Sequence, residues 1–124
     1  MGLFISERIR KQEFGKRISA ADKEALLYGA RPELAQSIAG RDLPKGTRLL
    51  KVYATTKKGP RRILYLLVVE EGDLFVLFYR DKKDRVGENM SPKNPTFRAE
   101  LNKHLDLLRE DILKNLVEEI LPES

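Results

Sequence analysis

The feature that most constrains the fold is residues 47–83, an apolar stretch divided by two short polar segments. Three strands are predicted within it, over residues 48–54, 62–69 and 74–80. Gaps this short join neighbouring strands, so the three strands are expected to form an antiparallel meander. The middle strand is apolar on both faces, which is typical of a central strand that is covered on both sides.

The chain before the meander is predicted to form one strand and two helices. Residues 3–9 are expected to form the strand, which leads into a charged segment. Ser19 is a typical N-cap for a helix over residues 20–28. Pro32 is expected to open a second short helix, to about Ala39, because its missing N–H costs nothing at the first helical position.

A long amphipathic helix is predicted at the C-terminal end, over residues 94–121. The pair Asn94-Pro95 suits a cap followed by a first turn. Seven apolar residues then recur every three or four positions, which predicts one apolar stripe: Phe97, Leu101, Leu105, Leu108, Ile112, Leu116 and Ile120. This stripe is expected to pack on the sheet. The alternative is that its distal half forms a contact surface for a partner protein.

These elements predict a single α+β domain over residues 1–124, with an N-terminal strand and a three-stranded meander in an antiparallel sheet. Helices flank the sheet, from residues 3–46 on the N-terminal side and 94–121 on the C-terminal side. At 124 residues, with 41% hydrophobic and 35% charged side chains, the chain is long enough for one core. No apolar run approaches the roughly 20 residues that a bilayer-spanning helix needs, so no membrane partner is expected and the expected location is cytoplasmic.

The absence of cysteine and the single histidine narrow the chemistry. Without cysteine there is no disulfide, thiolate metal site or cysteine nucleophile. His104 alone cannot supply a histidine acid–base pair or a two-histidine metal site, and it is expected to be structural. We therefore predict neither a metal nor a cofactor.

Positive charge is concentrated in the first three quarters of the chain. The net charge is +5, but residues 1–97 carry 20 basic and 12 acidic side chains. From Thr47 to Arg62 there are six basic residues and no acidic one. This local excess of positive charge favours a nucleic-acid phosphate backbone as partner, since such binding is driven by charge neutralisation and counterion release. The alternative is a solvated surface that only keeps the protein soluble.

Four segments, three in the meander and one just after it, carry a family resemblance. Lys51-Val52 lies on the first strand, and residues 57–65 are a basic glycine-containing loop followed by Arg62-Ile63-Leu64-Tyr65. Residues 77–83 are an aromatic strand end followed by lysines, and Asn89-Met90-Ser91 forms a polar linker before the last helix. Over residues 43–92 the chain resembles the RelE/ParE superfamily of toxins from type II toxin–antitoxin systems, and the RelE/HigB-like members in particular.

This resemblance implies a metal-independent endonuclease that cleaves mRNA in the ribosomal A site and so inhibits translation. That chemistry needs a base for the ribose 2′-OH, cations for the transition state and an acid for the leaving 5′-oxygen. The catalytic residues that the resemblance implies are Lys51, Arg62, Tyr79, Arg80 and Lys82. Arg62 and Arg80 would clamp phosphate, Lys51 and Lys82 would transfer protons or stabilise charge, and Tyr79 would stack or act as the acid.

Four further basic residues are expected to hold the RNA or ribosomal RNA backbone without reading sequence, namely Lys57, Lys58, Arg61 and Lys83. For several of the predicted catalytic and RNA-binding residues, the alternative is a purely structural role. Tyr79 would then be a core residue, Arg62 an ion-pair partner for an acid, and Lys51, Lys82 and Lys83 solvated surface residues.

The partners that the resemblance implies are a cognate antitoxin, mRNA and the ribosome. Two other functions fit the same pattern. A ParE-like protein would inhibit DNA gyrase by binding and would cut nothing, and a non-toxic module would simply bind nucleic acid. Dispensability of Lys51, Arg62, Arg80 and Lys82 would favour the ParE-like function, since fold alone does not establish activity. A protein that is harmless when expressed and has no adjacent small antitoxin gene would favour the binding module.

Overall fold

A six-stranded mixed sheet forms the centre of the structure. The computed structural model describes residues 2–31, 36–38, 43–81, 83–84, 86 and 90–122. The elements in chain order are β1 (Leu3–Ser6), α1 (Glu7–Phe14), α2 (Ala20–Gly29), β2 (Gln36–Ile38), β3 (Thr47–Thr56), β4 (Gly59–Val68), β5 (Asp73–Asp81), α3 (Pro95–Leu113) and β6 (Val117–Glu119). The strand order is β2-β3-β4-β5-β1-β6. The predicted α+β class, with a mostly antiparallel sheet and flanking helices, is confirmed.

The meander is present, with longer strands than predicted. β3 pairs antiparallel with β4, and β4 with β5. The expected loop over residues 55–61 is wrong, because the ladder continues to the pair Thr56–Gly59. Only Lys57 and Lys58 remain as the turn. Gly59 accommodates this tight closure with a φ of 113°, a region that side-chain-bearing residues avoid.

The N-terminal strand is shorter than predicted, because a helix follows it directly. β1 ends at Ser6, whose hydroxyl accepts a hydrogen bond from the Ile9 N–H at 3.2 Å and so caps α1. Residues 7–9 are therefore helical, and the strand expected over residues 3–9 is wrong in its second half. β1 pairs in parallel with β5, at Leu3–Leu74. A parallel pairing on an otherwise antiparallel sheet could not be foreseen from the local pattern.

The second short helix is contradicted where the structure describes it. Gln36–Ile38 form β2, which pairs antiparallel with β3 at Lys51, Leu50 and Leu49. Residues 32–35 and 39 lie outside the described residues. A three-residue strand has almost no pattern of its own, and hydrogen bonding to β3 decides its conformation.

The C-terminal helix is also shorter than predicted. It begins as expected, with the Asn94 side chain accepting from the Thr96 N–H at 3.1 Å and Pro95 in the first turn. It ends at Leu113 in a Schellman motif, in which Asn115 takes a left-handed φ of 58°. The Leu116 N–H donates to the Asp111 carbonyl at 2.7 Å, and the Asn115 N–H to the Ile112 carbonyl at 3.1 Å. The chain then reverses, and β6 pairs antiparallel with β1.

α2 packs closely on one face of the sheet. Its predicted cap is confirmed, since the Ser19 hydroxyl accepts from the Asp22 N–H at 3.1 Å. The buried Tyr65 hydroxyl donates to the Leu26 carbonyl at 2.7 Å. A Cβ on Gly29 would lie 2.6 Å from that hydroxyl and 3.2 Å from Val52 Cγ1. The absence of a side chain at Gly29 therefore allows the helix to approach the sheet.

α3 packs on the opposite face and is tied to α1. Phe78 of β5 lies with its ring centroid 5.9 Å from that of Phe97 and 4.5 Å from that of His104. The carboxylate of Asp111 is fully buried and accepts from the Arg8 backbone N–H at 3.0 Å and from Arg8 Nε at 2.9 Å. Burial opposes ionisation of Asp111, but the hydrogen bonds from Arg8 outweigh it and hold the pKa of Asp111 below its usual value.

None of the described helices combines the length and apolar character needed to cross a membrane.

Candidate nucleic-acid interface

Lys51, Tyr53 and Arg62 form a cluster on the face of the sheet that α3 also contacts; we refer to it as the β3–β4 cluster. Tyr53 and Arg62 are directly opposite in the ladder, and Lys51 lies two residues from Tyr53 on the same strand. Lys51 Nζ lies 5.5 Å and Arg62 Cζ 5.1 Å from the Tyr53 ring centroid. Tyr53 is 53% exposed. The cluster therefore presents two cations next to an accessible aromatic ring.

Arg80 lies beside this cluster but is held by two carboxylates. It is paired with Arg62 across β4 and β5. Its Nε and Nη2 donate to the two oxygens of Glu13, each at 2.7 Å, and Nη1 donates to Asp84 at 3.1 Å. Burial acts against the charged form of Arg80, but Glu13 and Asp84 raise its pKa above the usual value. The charge of Arg80 is thus locally neutralised, which lets two arginines sit side by side.

Glu13 is the centre of a buried polar network. Besides Arg80, its carboxylate accepts from the Tyr79 backbone N–H at 2.8 Å and from His104 Nε2 at 3.0 Å. The Glu13 side chain is fully buried, and His104 is 2% exposed. Burial disfavours the ionised carboxylate, but hydrogen bonds from His104 and Arg80 prevail and lower the pKa of Glu13. Because an ionised carboxylate only accepts, the proton lies on Nε2 of His104.

Tyr79 lies on the opposite face of the sheet from the β3–β4 cluster. Successive residues of a strand point to opposite faces, so Tyr79 and Arg80 cannot share one. Tyr79 is 7% exposed, its ring centroid is 4.9 Å from that of Phe14, and its hydroxyl donates to Asp22 at 2.8 Å. Burial, followed by the bond to Asp22, raises its pKa. The structure therefore does not bring this predicted catalytic tyrosine together with Lys51 and Arg62.

The remaining predicted residues lie around the β3–β4 turn and after β5. Lys57 and Lys58 are exposed at the turn, and Lys83 is exposed just beyond β5. Arg61 is half-buried and lies on the Tyr79 face, since it pairs with Ala54 and follows the alternation of β4. Lys82 lies outside the described residues.

Tyr53 is the residue that the sequence interpretation missed. It lies two residues from Lys51, so the period of a strand already placed the two on one face. The chain has four tyrosines. The two in strongly apolar strands, Tyr65 and Tyr79, are buried, whereas Tyr53 lies in a mixed segment and is exposed. The polarity of the residues that flank each tyrosine along its strand would therefore have distinguished the exposed Tyr53 from the buried Tyr65 and Tyr79.

An open groove of about 890 Å³ runs between α2 and the C-terminal half of β3. Its polar lining includes Lys23, Tyr28, Arg31, Tyr53 and Lys57. The groove therefore shares Tyr53 with the β3–β4 cluster, whereas Lys51 and Arg62 do not line it. Among the described residues there is no group of three or more His, Cys, Asp or Glu side chains placed to hold a metal ion.

Comparison with known proteins shows no relative. The chain matches no protein-family model, no curated protein and no solved structure. The function must therefore be argued from the side chains and their arrangement.

Proposed function

We propose that this protein is the toxin component of a type II toxin–antitoxin system, a RelE/HigB-like endonuclease that cleaves mRNA on the ribosome in the cytoplasm. The observation that supports it most is the β3–β4 cluster, where Lys51 and Arg62 flank the exposed ring of Tyr53. The resemblance over residues 43–92 had implicated Lys51 and Arg62 independently of their position in space.

In this proposal each residue of the cluster has a role that its chemistry suits. The planar guanidinium of Arg62 binds the scissile phosphate and stabilises charge as the 2′-oxygen attacks phosphorus. Lys51 stabilises the same charge or takes the 2′-OH proton. The ring of Tyr53 stacks on a base next to the cleaved bond, and this contact is independent of sequence. The P–O5′ bond breaks as the 2′-oxygen bonds to phosphorus, which leaves a 2′,3′-cyclic phosphate. The leaving 5′-oxygen takes its proton from solvent, because Tyr79 is held by Asp22 on the other face, and no metal is needed for any of these steps.

The basic residues outside the cluster extend the RNA contact. Lys57, Lys58 and Lys83 are exposed and would neutralise phosphates of mRNA or ribosomal RNA. Arg80 serves mainly to organise this region through Glu13 and Asp84, and contributes less than a free arginine would.

A cognate antitoxin would cover this basic face and contact the distal end of α3. At that end Ile112, Leu113 and Leu116 are 47%, 82% and 39% exposed. Of these, Ile112 and Leu116 were predicted to continue the stripe of a longer helix, whereas Leu113 was not part of that stripe. The helix ends at Leu113 instead, and these apolar side chains are left at the surface.

A second candidate function is binding without cleavage, as in ParE-like inhibitors of DNA gyrase. One observation favours it: Tyr79 and Arg80, two of the predicted catalytic side chains, are occupied by Asp22, Glu13 and Asp84. If Lys51 and Arg62 also prove dispensable for toxicity, this function becomes the better account.

The test is a primer-extension map of cellular mRNA after induction of wild type, Lys51→Ala/Arg62→Ala and Arg48→Ala. Arg48 is an exposed arginine on β3 that points to the other face, so Arg48→Ala is the matched control. We expect cuts within codons for wild type and Arg48→Ala and none for the double variant. Growth arrest with intact mRNA and altered DNA supercoiling would contradict the nuclease function and support gyrase inhibition. Cuts that persist in the double variant would refute the role of the cluster.

A further inference from the structure

The two exposed tyrosines of this chain line the same groove. Tyr65 and Tyr79 are buried and hydrogen-bonded, whereas Tyr28 and Tyr53 are 47% and 53% exposed. Both exposed tyrosines line the groove between α2 and β3. Burying a tyrosine ring stabilises a fold, so two exposed tyrosine rings at one groove indicate a binding surface.

Tyr28 carries a cation over its ring. Cζ of Arg31 lies 5.1 Å from the Tyr28 ring centroid, at the end of α2. We refer to the Tyr28 ring and the Arg31 guanidinium over it as the Tyr28–Arg31 platform, an aromatic surface beside a positive charge. Unpaired nucleobases stack on both kinds of surface, on aromatic rings and on guanidinium planes.

The charge of the groove selects the class of ligand. Three of its lining residues are basic, Lys23, Arg31 and Lys57, and one is acidic, Glu24. Its volume of about 890 Å³ is within the range of ~300–1,000 Å³ that is typical of ligand pockets. Aromatic rings interleaved with cations in an open groove are the pattern of single-stranded nucleic-acid binding, whereas a duplex hides its bases.

We propose that this groove binds unpaired nucleotides of a single-stranded RNA, with a base on the Tyr28–Arg31 platform and phosphates near Lys57. This inference rests on the proposed function, because the groove shares Tyr53 with the β3–β4 cluster. It extends that function by giving the RNA a path from the cluster across the edge of β3 onto α2. The groove holds the strand and does not take part in cleavage.

The experiment uses the whole protein and a fluorescein-labelled oligouridylate, with fluorescence anisotropy at low salt. Tyr28→Ala is expected to weaken binding about 5- to 150-fold, from the usual contribution of one stacked base. Tyr28→Phe keeps the ring and is expected to bind like wild type. Arg31→Gln removes both the charge and the guanidinium plane, and is expected to weaken binding and to reduce its salt dependence. Arg48→Ala is the control for loss of charge elsewhere.

A photo-cross-linking measurement on the unmodified protein makes the result independent of how the variants fold. Oligouridylate containing 5-iodouridine is expected to form adducts at Tyr28, mapped by mass spectrometry. Adducts confined to Tyr53, or equal affinity for a duplex RNA, would overturn the groove proposal and leave the proposed function intact. Binding of a polyglutamate peptide in preference to the RNA would also overturn it, in favour of an acidic protein partner.

The proposed nuclease function and the proposed RNA binding in the groove can be refuted independently of each other. Oligonucleotide binding that depends on Tyr28, without cleavage of mRNA in cells, would support the groove and refute the nuclease. Cleavage in cells that is insensitive to Tyr28→Ala, with anisotropy unchanged by the same substitution, would refute the groove alone. No binding of the oligouridylate at low salt would refute the groove whatever the variants show.

Discussion

Replacing Glu13 with glutamine tests whether the buried polar network stabilises the fold. The Glu13 carboxylate accepts four hydrogen bonds, from the Tyr79 N–H, from Nε and Nη2 of Arg80 and from Nε2 of His104. A glutamine side chain has one acceptor oxygen, so its NH2 group must face two of these four donors. Arg80 also loses its principal counterion while only 21% of its side chain is exposed.

The expected loss follows from this geometry. Removing one partner of a buried ion pair costs about 3–5 kcal/mol, mainly because the other charge stays buried without compensation. Asp84 remains bonded to Arg80 and His104 can change tautomer, so we expect the low end, about 3 kcal/mol. That is a large fraction of the stability of a typical small domain, about 5–15 kcal/mol.

Urea denaturation at neutral pH measures the change in the free energy of unfolding. Glu7→Gln is the matched control, because Glu7 lies on the same helix and its pair with Lys11 is exposed on both sides. That control is expected to change stability by less than about 1 kcal/mol. A loss below about 1 kcal/mol for Glu13→Gln would refute the view that this network stabilises the fold. A double-mutant cycle with Arg80→Met should assign most of the loss to the Glu13–Arg80 pair.

Three further predictions concern other parts of the structure. Gly29→Ala is expected to destabilise the protein by about 1–3 kcal/mol in urea denaturation, because the added Cβ would lie 2.6 Å from the Tyr65 hydroxyl; a neutral result would mean that α2 does not approach the sheet so closely. The pKa values of Glu13 and Asp111 are lowered, so the unfolded chain binds protons more tightly at these sites and the urea midpoint should fall as the pH drops below about 4; a midpoint that is flat down to acid pH would contradict this. Tyr79→Phe should leave growth arrest and mRNA cuts unchanged, since its hydroxyl is held by Asp22 away from the cluster; loss of cleavage in a folded Tyr79→Phe protein would restore Tyr79 as the acid.

Local sequence was sufficient where an element has strong signals of its own. The meander, the Ser19 cap and the Asn94-Pro95 helix start all depend on neighbours within a few residues. The end of α3 also had a local signal that the interpretation missed. Asn115 is among the few residues that adopt a left-handed conformation readily, so it could have indicated the helix end before Leu116.

The candidate site was only partly predictable for a different reason. Lys51 and Arg62 were named from residue types along the chain, and the strand period would have added Tyr53. Which of the predicted side chains are held by carboxylates depends on acids far away in sequence. Glu13 is 67 residues from Arg80, and Asp22 is 57 residues from Tyr79.

The sequence by itself determined the α+β class, the meander and the basic character of its turn, because apolar periodicity and charge are local properties. Only the tertiary structure decided that β1 runs parallel to β5, that residues 36–38 are a strand and that β6 closes the other edge of the sheet. It also decided that carboxylates hold Tyr79 and Arg80, and that Lys51, Tyr53 and Arg62 share one face. Strand pairing and buried ion pairs join residues that are distant along the chain, and their energies depend on burial that no short window of sequence specifies.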